Sequence, residues 1–173
     1  RYATPVSEEL WSTPSASTVQ IGCNGSTWRG AFMQTSATTT FLGKTLTKLT
    51  LRLFSFDGGF TDEPFSVGIF NTTEVYTGTP LGTLSGATNN NQLSASWAYY
   101  DYEGNAGEIS SGNAIGFMID RSDGVSDNLV QIQCNTAASL TGCDDIQYDQ
   151  IQQEWDYDPY INGSLLIGSA YGY

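Results

Sequence analysis

The sequence predicts an all-β fold: a single β-sandwich of the jelly-roll or Greek-key type over residues 18–173, preceded by an extended N-terminal arm over residues 1–17. Three observations point there. Apolar residues recur at every second position in several short runs, turn-forming residues separate those runs, and no long stretch sustains a 3.6-residue period. Two sheets that are each apolar on one face must cover each other.

The runs follow in order. Val19 and Ile21 form an early candidate strand. Leu49, Leu51 and Leu53 point one way while Thr50 and Arg52 point the other, and Phe65, Val67 and Ile69 repeat the pattern. The acidic stretch between these two strands joins them either as a hairpin or as a crossing between sheets. If W-A-Y-Y-D-Y (97–102) is a strand, Trp97 and Tyr99 lie on the face opposite Tyr100 and Tyr102. Ile115, Phe117 and Ile119, then Val130 and Ile132, then S-L-L-I-G-S-A-Y (164–171) complete the set. Turn signals fall between them: D-G-G at 57–59, T-G-T-P at 77–80, T-N-N-N at 88–91, S-S-G-N at 110–113 and S-D-G at 122–124. The spacing of Tyr148, Ile151 and Trp155 fits one or two helical turns, ended by Pro159. The arm differs from all of this. Pro5 and Pro14 favour extended backbone and remove ladder donors, yet Tyr2, Val6, Leu10 and Trp11 are apolar surface with something to bury.

At 173 residues the chain has the size of one domain. Six basic against eighteen acidic residues leave a net charge of -12, which repels phosphate backbones and anionic headgroups, so nucleic acid is not an expected partner. No apolar run approaches the roughly 20 residues that span a bilayer, and membrane insertion is not expected. The first residues lack the basic-then-apolar profile of a signal peptide, so the chain reads as a mature or trimmed product. Scarce lysine, abundant Thr, Ser, Asn, Gly and Tyr, and acceptor tripeptides at Asn24, Asn71 and Asn162 fit an extracellular or cell-surface glycoprotein. Of the three cysteines, Cys134 and Cys143 bracket a short loop that a disulfide could close, leaving Cys23 buried, free or paired between chains.

The chain holds no histidine, which excludes Ser-His-Asp and Cys-His catalysis and His-ligated metal sites. Paired carboxylates are the remaining catalytic option, as Asp101 with Glu103, or Glu154 with Asp156 and Asp158. An acidic surface produces such pairs by chance, and no enzymatic activity is expected. Calcium is the better chemical candidate because it accepts oxygen ligands from irregular loops. Its candidate ligands are Asp57, Asp62 and Glu63, then Asp120, Asp123 and Asp127, with Asp144 and Asp145 after Cys143. In D-R-S-D-G-V-S-D the glycine stands fifth instead of sixth, and Gln131 takes the place of the final Glu of an EF-hand. Solvated acidic turns are the competing reading. Trp28, Trp97, Tyr99, Tyr100, Tyr102, Trp155, Tyr157 and Tyr160 supply aromatic faces that would serve a sugar platform, a core or a protein interface.

The segments F-L-G-K-T-L-T-K-L-T-L-R-L-F-S (41–55), F-S-V-G-I-F-N-T-T-E-V-Y-T-G-T-P-L-G-T-L-S-G (65–86), S-A-S-W-A-Y-Y-D-Y-E (94–103) and G-E-I-S-S-G-N-A-I-G-F-M-I-D (107–120), followed by Trp155 and G-S-L-L-I-G-S-A-Y (163–171), together resemble the secreted β-sandwich domains called choice-of-anchor domains. That resemblance implies fold and extracellular location, and no single activity or catalytic set.

The expected function is that of an extracellular structural protein, a homopolymeric filament or surface assembly built by strand addition from a terminal arm. Val6, Leu10 and Trp11 are the expected anchors. The arm packing on its own domain is the alternative at that point, and the C-terminal L-L-I-G-S-A-Y-G-Y is a second segment able to donate. The alternative function is a carbohydrate-binding or adhesive module that uses glycan-stacking aromatics, with calcium as its candidate cofactor.

Overall fold

The computed structural model describes residues 3–23, 28–56, 62–73, 79–120, 130–137, 139–156 and 165–173. Among these residues the chain forms thirteen strands and one 3-10 turn. In chain order they are β1 (Glu8–Thr13), β2 (Thr18–Cys23), β3 (Trp28–Thr35), β4 (Leu46–Ser55), β5 (Phe65–Asn71), β6 (Gly82–Thr83), the 3-10 turn (Asn90–Gln92), β7 (Ala98–Glu103), β8 (Asn113–Ile119), β9 (Val130–Asn135), β10 (Cys143–Asp149), β11 (Glu154–Asp156), β12 (Leu165–Leu166) and β13 (Gly168–Gly172).

They assort into two antiparallel sheets. The first runs β1-β13-β4-β9-β12, with β2 added on β9 and β7 on β4; the second runs β11-β10-β3-β8-β5-β6. The all-β expectation holds. The apolar runs named above fall in β2, β4, β5, β7, β8, β9 and β12–β13, with Trp97 just before β7 and Ile167 between β12 and β13, and the alternation assigns faces as expected: in β4, Leu49, Leu51 and Leu53 are buried while Thr50, Arg52 and Phe54 are half-buried on the other side. One cluster of buried side chains draws on both sheets, with Leu46, Leu49, Leu51, Leu53 and Ile132 from the first and Phe65, Val67, Ile69, Ile115 and Phe117 from the second. The arrangement is therefore sandwich-like. The acidic stretch after β4 connects a strand of the first sheet to a strand of the second, so it is a crossing and not a hairpin.

Four features depart from the sequence reading. The helical spacing of Tyr148, Ile151 and Trp155 belongs instead to a β10–β11 hairpin, in which Tyr148 pairs with Trp155 and their rings lie 5.2 Å apart. Asp149 Oδ1 accepts from the backbone N–H of Ile151 and Gln152 and turns the chain there. Strands β3 and β10 had no alternating signal. Residues of β3, β5, β8 and β10 on the outer side of the second sheet build a second buried cluster of Phe32, Phe70, Ala114, Met118, Ile146 and Tyr148, with Trp155 packed on it. A strand apolar on both faces loses its period of two. In β10 the opposite happens, because Asp145, Gln147 and Asp149 are buried polar residues.

The third departure is in the N-terminal segment, where residues 8–13 are the edge strand β1, laid against the chain's own β13. The fourth is the disulfide. Cys134 and Cys143 are not joined: Cys134 is buried in β9 of the first sheet, while Cys143 opens β10 of the second with its sulfur 3.8 Å from Thr39 Oγ1. Burial pushes the Cys143 thiol up to about 11, with the Thr39 hydrogen bond opposing and the Asp144 charge adding to the rise. Cys23 is buried in the main core.

Candidate functional site

The β1 edge is built from a small number of contacts. Register pairs Glu8 with Gly172, Trp11 with Ala170 and Thr13 with Gly168, and a bulge falls between Glu9 and Trp11. The bulge places Leu10 half-buried against the main core and turns Trp11 fully inward, 5% exposed, with its ring 5.2 Å from Phe41. Thr13 follows it inward. Polar contacts run along the outside: Glu8 pairs with Lys44, Ser7 bonds Thr47 at 3.0 Å and the Tyr171 hydroxyl donates to Glu9 at 3.2 Å. Gly168 allows β13 to start so close to β4, since a Cβ there would stand 1.7 Å from the Thr50 carbonyl at a φ of +146.

Pro14–Ser17 link β1 to β2 as an exposed connection. It is pinned lightly. Asn135 Nδ2 donates to Pro14 O at 2.8 Å, Thr136 donates its N–H and hydroxyl to Ser17 O, and Arg52 donates to the Ser15 hydroxyl. Of the expected anchors, Trp11 is seated, Leu10 is partly seated and Val6 is 85% exposed.

The acidic candidates converge in part. Asp120 N–H donates to Pro64 O at 2.9 Å, so the residues before β5 and the residue after β8 share one end of the second sheet. There Asp62 accepts from Asn89, Asp120 accepts the Ser66 hydroxyl at 3.1 Å on each oxygen, and Glu63 is buried. Asp57, Asp123 and Asp127 lie outside the described residues. Among the described residues no group of three carboxylates or thiols is placed to hold a metal ion. The residue that organises this end was not singled out from sequence. Arg29 is 4% exposed and donates to Ile119 O at 3.0 Å, Asp120 O at 3.0 Å and Gln150 Oε1 at 3.1 Å, tying three segments together.

The carboxylate pair Asp101 and Glu103 faces outward from β7 beside Lys48, whose Nζ lies 2.8 Å from Asp101 and 3.3 Å from Glu103. Hydrogen bonds from Lys48 and Thr50 hold the Asp101 carboxyl below the usual range, and the same contact with Asp101 raises Lys48. A lowered carboxyl is the reverse of what a general acid needs. Glu154 and Asp156 are exposed on β11, and Asp158 lies outside the described residues. Of the three glycan acceptors, Asn71 ends β5 with its Oδ1 bonded by the Thr73 N–H and hydroxyl at 3.0 and 2.7 Å; Asn24 and Asn162 lie outside the described residues.

The aromatic candidates divide by face. Tyr102 is fully buried and Tyr100 half-buried on the inner side of β7, whereas Tyr99 is 55% exposed on the outer side and Trp97 is half-buried. Phe54 and Phe56 join this outer group: the Phe54 ring stands edge-on to Trp97 at 4.6 Å, and Phe56 is 66% exposed. Trp155 covers the second cluster instead, 4.9 Å from Phe32. Tyr157 and Tyr160 lie outside the described residues.

No protein-family model matches the chain, and neither a curated protein nor a solved structure matches it.

Proposed function

We propose that this protein is an extracellular or cell-surface structural subunit, a secreted β-sandwich of the jelly-roll type, that polymerises by exchanging β1 between copies. The observation that carries this reading is the combination at the β1 edge: one strand fills a core slot with Trp11 and Leu10, yet it hangs on an exposed connection of a few residues. A neighbouring copy's β1 makes the same ladder with β13 and the same ring contact with Phe41. Exchange therefore changes connectivity and loses no contact. Main-chain hydrogen bonds provide strength and the Trp11 pocket provides register. Each copy that gives away β1 leaves its own slot open for the β1 of a third copy, so the exchange can repeat along a chain of subunits.

Plain edge-to-edge addition is the competing route, and the strand is built against it. Glu8 and Glu9, the bulge at Leu10 and the flanking Pro5 and Pro14 are the devices that blunt a free edge.

The test locks the slot from within. Ser12 and Ser169 are register partners on the outward side of β1 and β13, and the variant Ser12→Cys/Ser169→Cys is designed to cross-link them when oxidised. The expected result is fibres of wild-type chain by negative-stain microscopy, single subunits for the oxidised variant, and fibres again after reduction. Fibres formed by a variant shown by mass spectrometry to be cross-linked within one chain would sink the proposal.

A further inference from the structure

We propose that Asn71 carries an N-linked glycan, joined through its side-chain amide to the first sugar of an oligosaccharide. This rests on the extracellular reading above, because a chain meets the lipid-linked sugar donor of such linkages as it is exported. Of the three acceptor tripeptides, N-T-T at 71–73 is the one within the described residues.

The fold grips that tripeptide by its middle residue. Asn71 is the last residue of β5 and pairs with Asn113 of β8. Thr72 Oγ1 then donates to Gly112 O at 2.5 Å and accepts from Gln34 Nε2 of β3 at 3.0 Å, which fixes the turn to the second sheet. Thr73 is left exposed. Asn71 Oδ1 accepts both the Thr73 N–H at 3.0 Å and the Thr73 hydroxyl at 2.7 Å, closing an Asx turn. The two ends of the Asn71 amide are thereby sorted. Oδ1 is doubly engaged, while Nδ2, with both its protons, makes no hydrogen bond among the described residues and is not sealed from solvent.

Asn135 shows what a purely structural turn of this kind looks like. It ends β9, its Oδ1 accepts the Ala137 N–H at 2.8 Å, its Nδ2 donates to Pro14 O at 2.8 Å, and it is 3% exposed. That turn closes without a hydroxyl and engages its amide nitrogen within the fold. Ending a strand therefore requires neither the Thr73 hydroxyl nor an open Nδ2, and Asn71 has both.

The chemistry uses these two features. Two donors on the carbonyl draw electron density from the amide and make its N–H more acidic. In the transfer, catalysed by a separate glycosyltransferase, Nδ2 bonds to C1 of the sugar as the bond from C1 to the lipid diphosphate breaks. The diphosphate leaves with the electron pair, and a base of the transferase takes one Nδ2 proton.

The test is mass spectrometry of the full chain recovered from outside the cells that produce it, digested and fragmented so that a modified residue is located. Asn71 is expected to carry a mass made of hexose or N-acetylhexosamine units. Thr73→Ser should keep that mass, and Thr73→Val, which preserves shape and removes the hydroxyl, should lose it. Thr73 is exposed, so these variants test the site without disturbing packing. An unmodified Asn71 in the exported chain overturns the inference, as does a sugar mass on the Thr72 or Thr73 hydroxyl, or a mass on Asn71 that survives Thr73→Val. A chain confined to the cytoplasm overturns the extracellular reading as well, whereas an exported chain without the sugar overturns this inference alone. None of these residues belongs to β1 or β13, so the strand-exchange reading is tested separately.

Discussion

The two sheets share one core but treat their outer faces in opposite ways. On the first sheet the outer row of β4 and β7, Lys48, Thr50, Arg52, Tyr99 and Asp101, is polar or aromatic and accessible. On the second, Phe32, Phe70, Met118 and Tyr148 are sealed in a cluster of their own. The difference leaves one outer face accessible to solvent and commits the other to buried packing.

Breaking the sealed face has the largest expected effect. Phe32→Ala removes a ring that meets Phe70 at 5.0 Å and Trp155 at 4.9 Å, and should cost about 3–5 kcal/mol in denaturant unfolding. Next comes a contrast within one strand. The Tyr102 hydroxyl is buried without a hydrogen-bond partner among the described residues, and burial drives its ionisation far above the usual phenol range. Tyr102→Phe should therefore raise stability by about 1 kcal/mol, measured as a higher melting temperature. Tyr99→Ala, three positions earlier on the open face, should change stability by less than about 0.5 kcal/mol.

The smallest effect concerns the charges on the open face. Asp101 has a lowered folded value, so its contribution is complete above the ordinary 3.8 and is lost as pH falls through the folded value. Lys48 has a raised value, so its contribution is complete below 10.5 and is lost as pH rises through the folded value. Asp101→Asn should flatten the acid limb of the stability profile slightly and leave neutral pH almost untouched, because both groups are largely solvated.

Much of the first sheet was legible because its strands keep one wet face: the Leu49, Leu51, Leu53 period declared β4, and W-A-Y-Y-D-Y split its tyrosines correctly. The second sheet was harder. A-F-M in β3 reads as an apolar run without a face, and the buried Asp145 and Gln147 disguise β10 as a loop. The seven-residue step from Tyr148 to Trp155 suits a helix and a four-residue hairpin turn alike, and only the Asp149 turn decides between them. Site residues were legible in proportion to their chemistry. Trp11 announced itself as a bulky apolar residue in a polar, proline-flanked segment. Its partner Phe41 carries no local signal, since what makes it matter is the Trp11 ring that the fold brings against it.

The β1–β13 ladder also has a kinetic side. Glu9 and Tyr171 are 162 positions apart, so β1 must wait for a distant part of the chain before it meets its partner. Until then the Trp11 pocket does not exist on the same chain. Closing so long a loop confers an effective concentration that falls only slowly with length, but falls far enough that a crowded neighbour becomes a real competitor. On the strand-exchange proposal, dilute chains close on themselves and concentrated ones cross over, so that local density during folding selects between monomer and polymer.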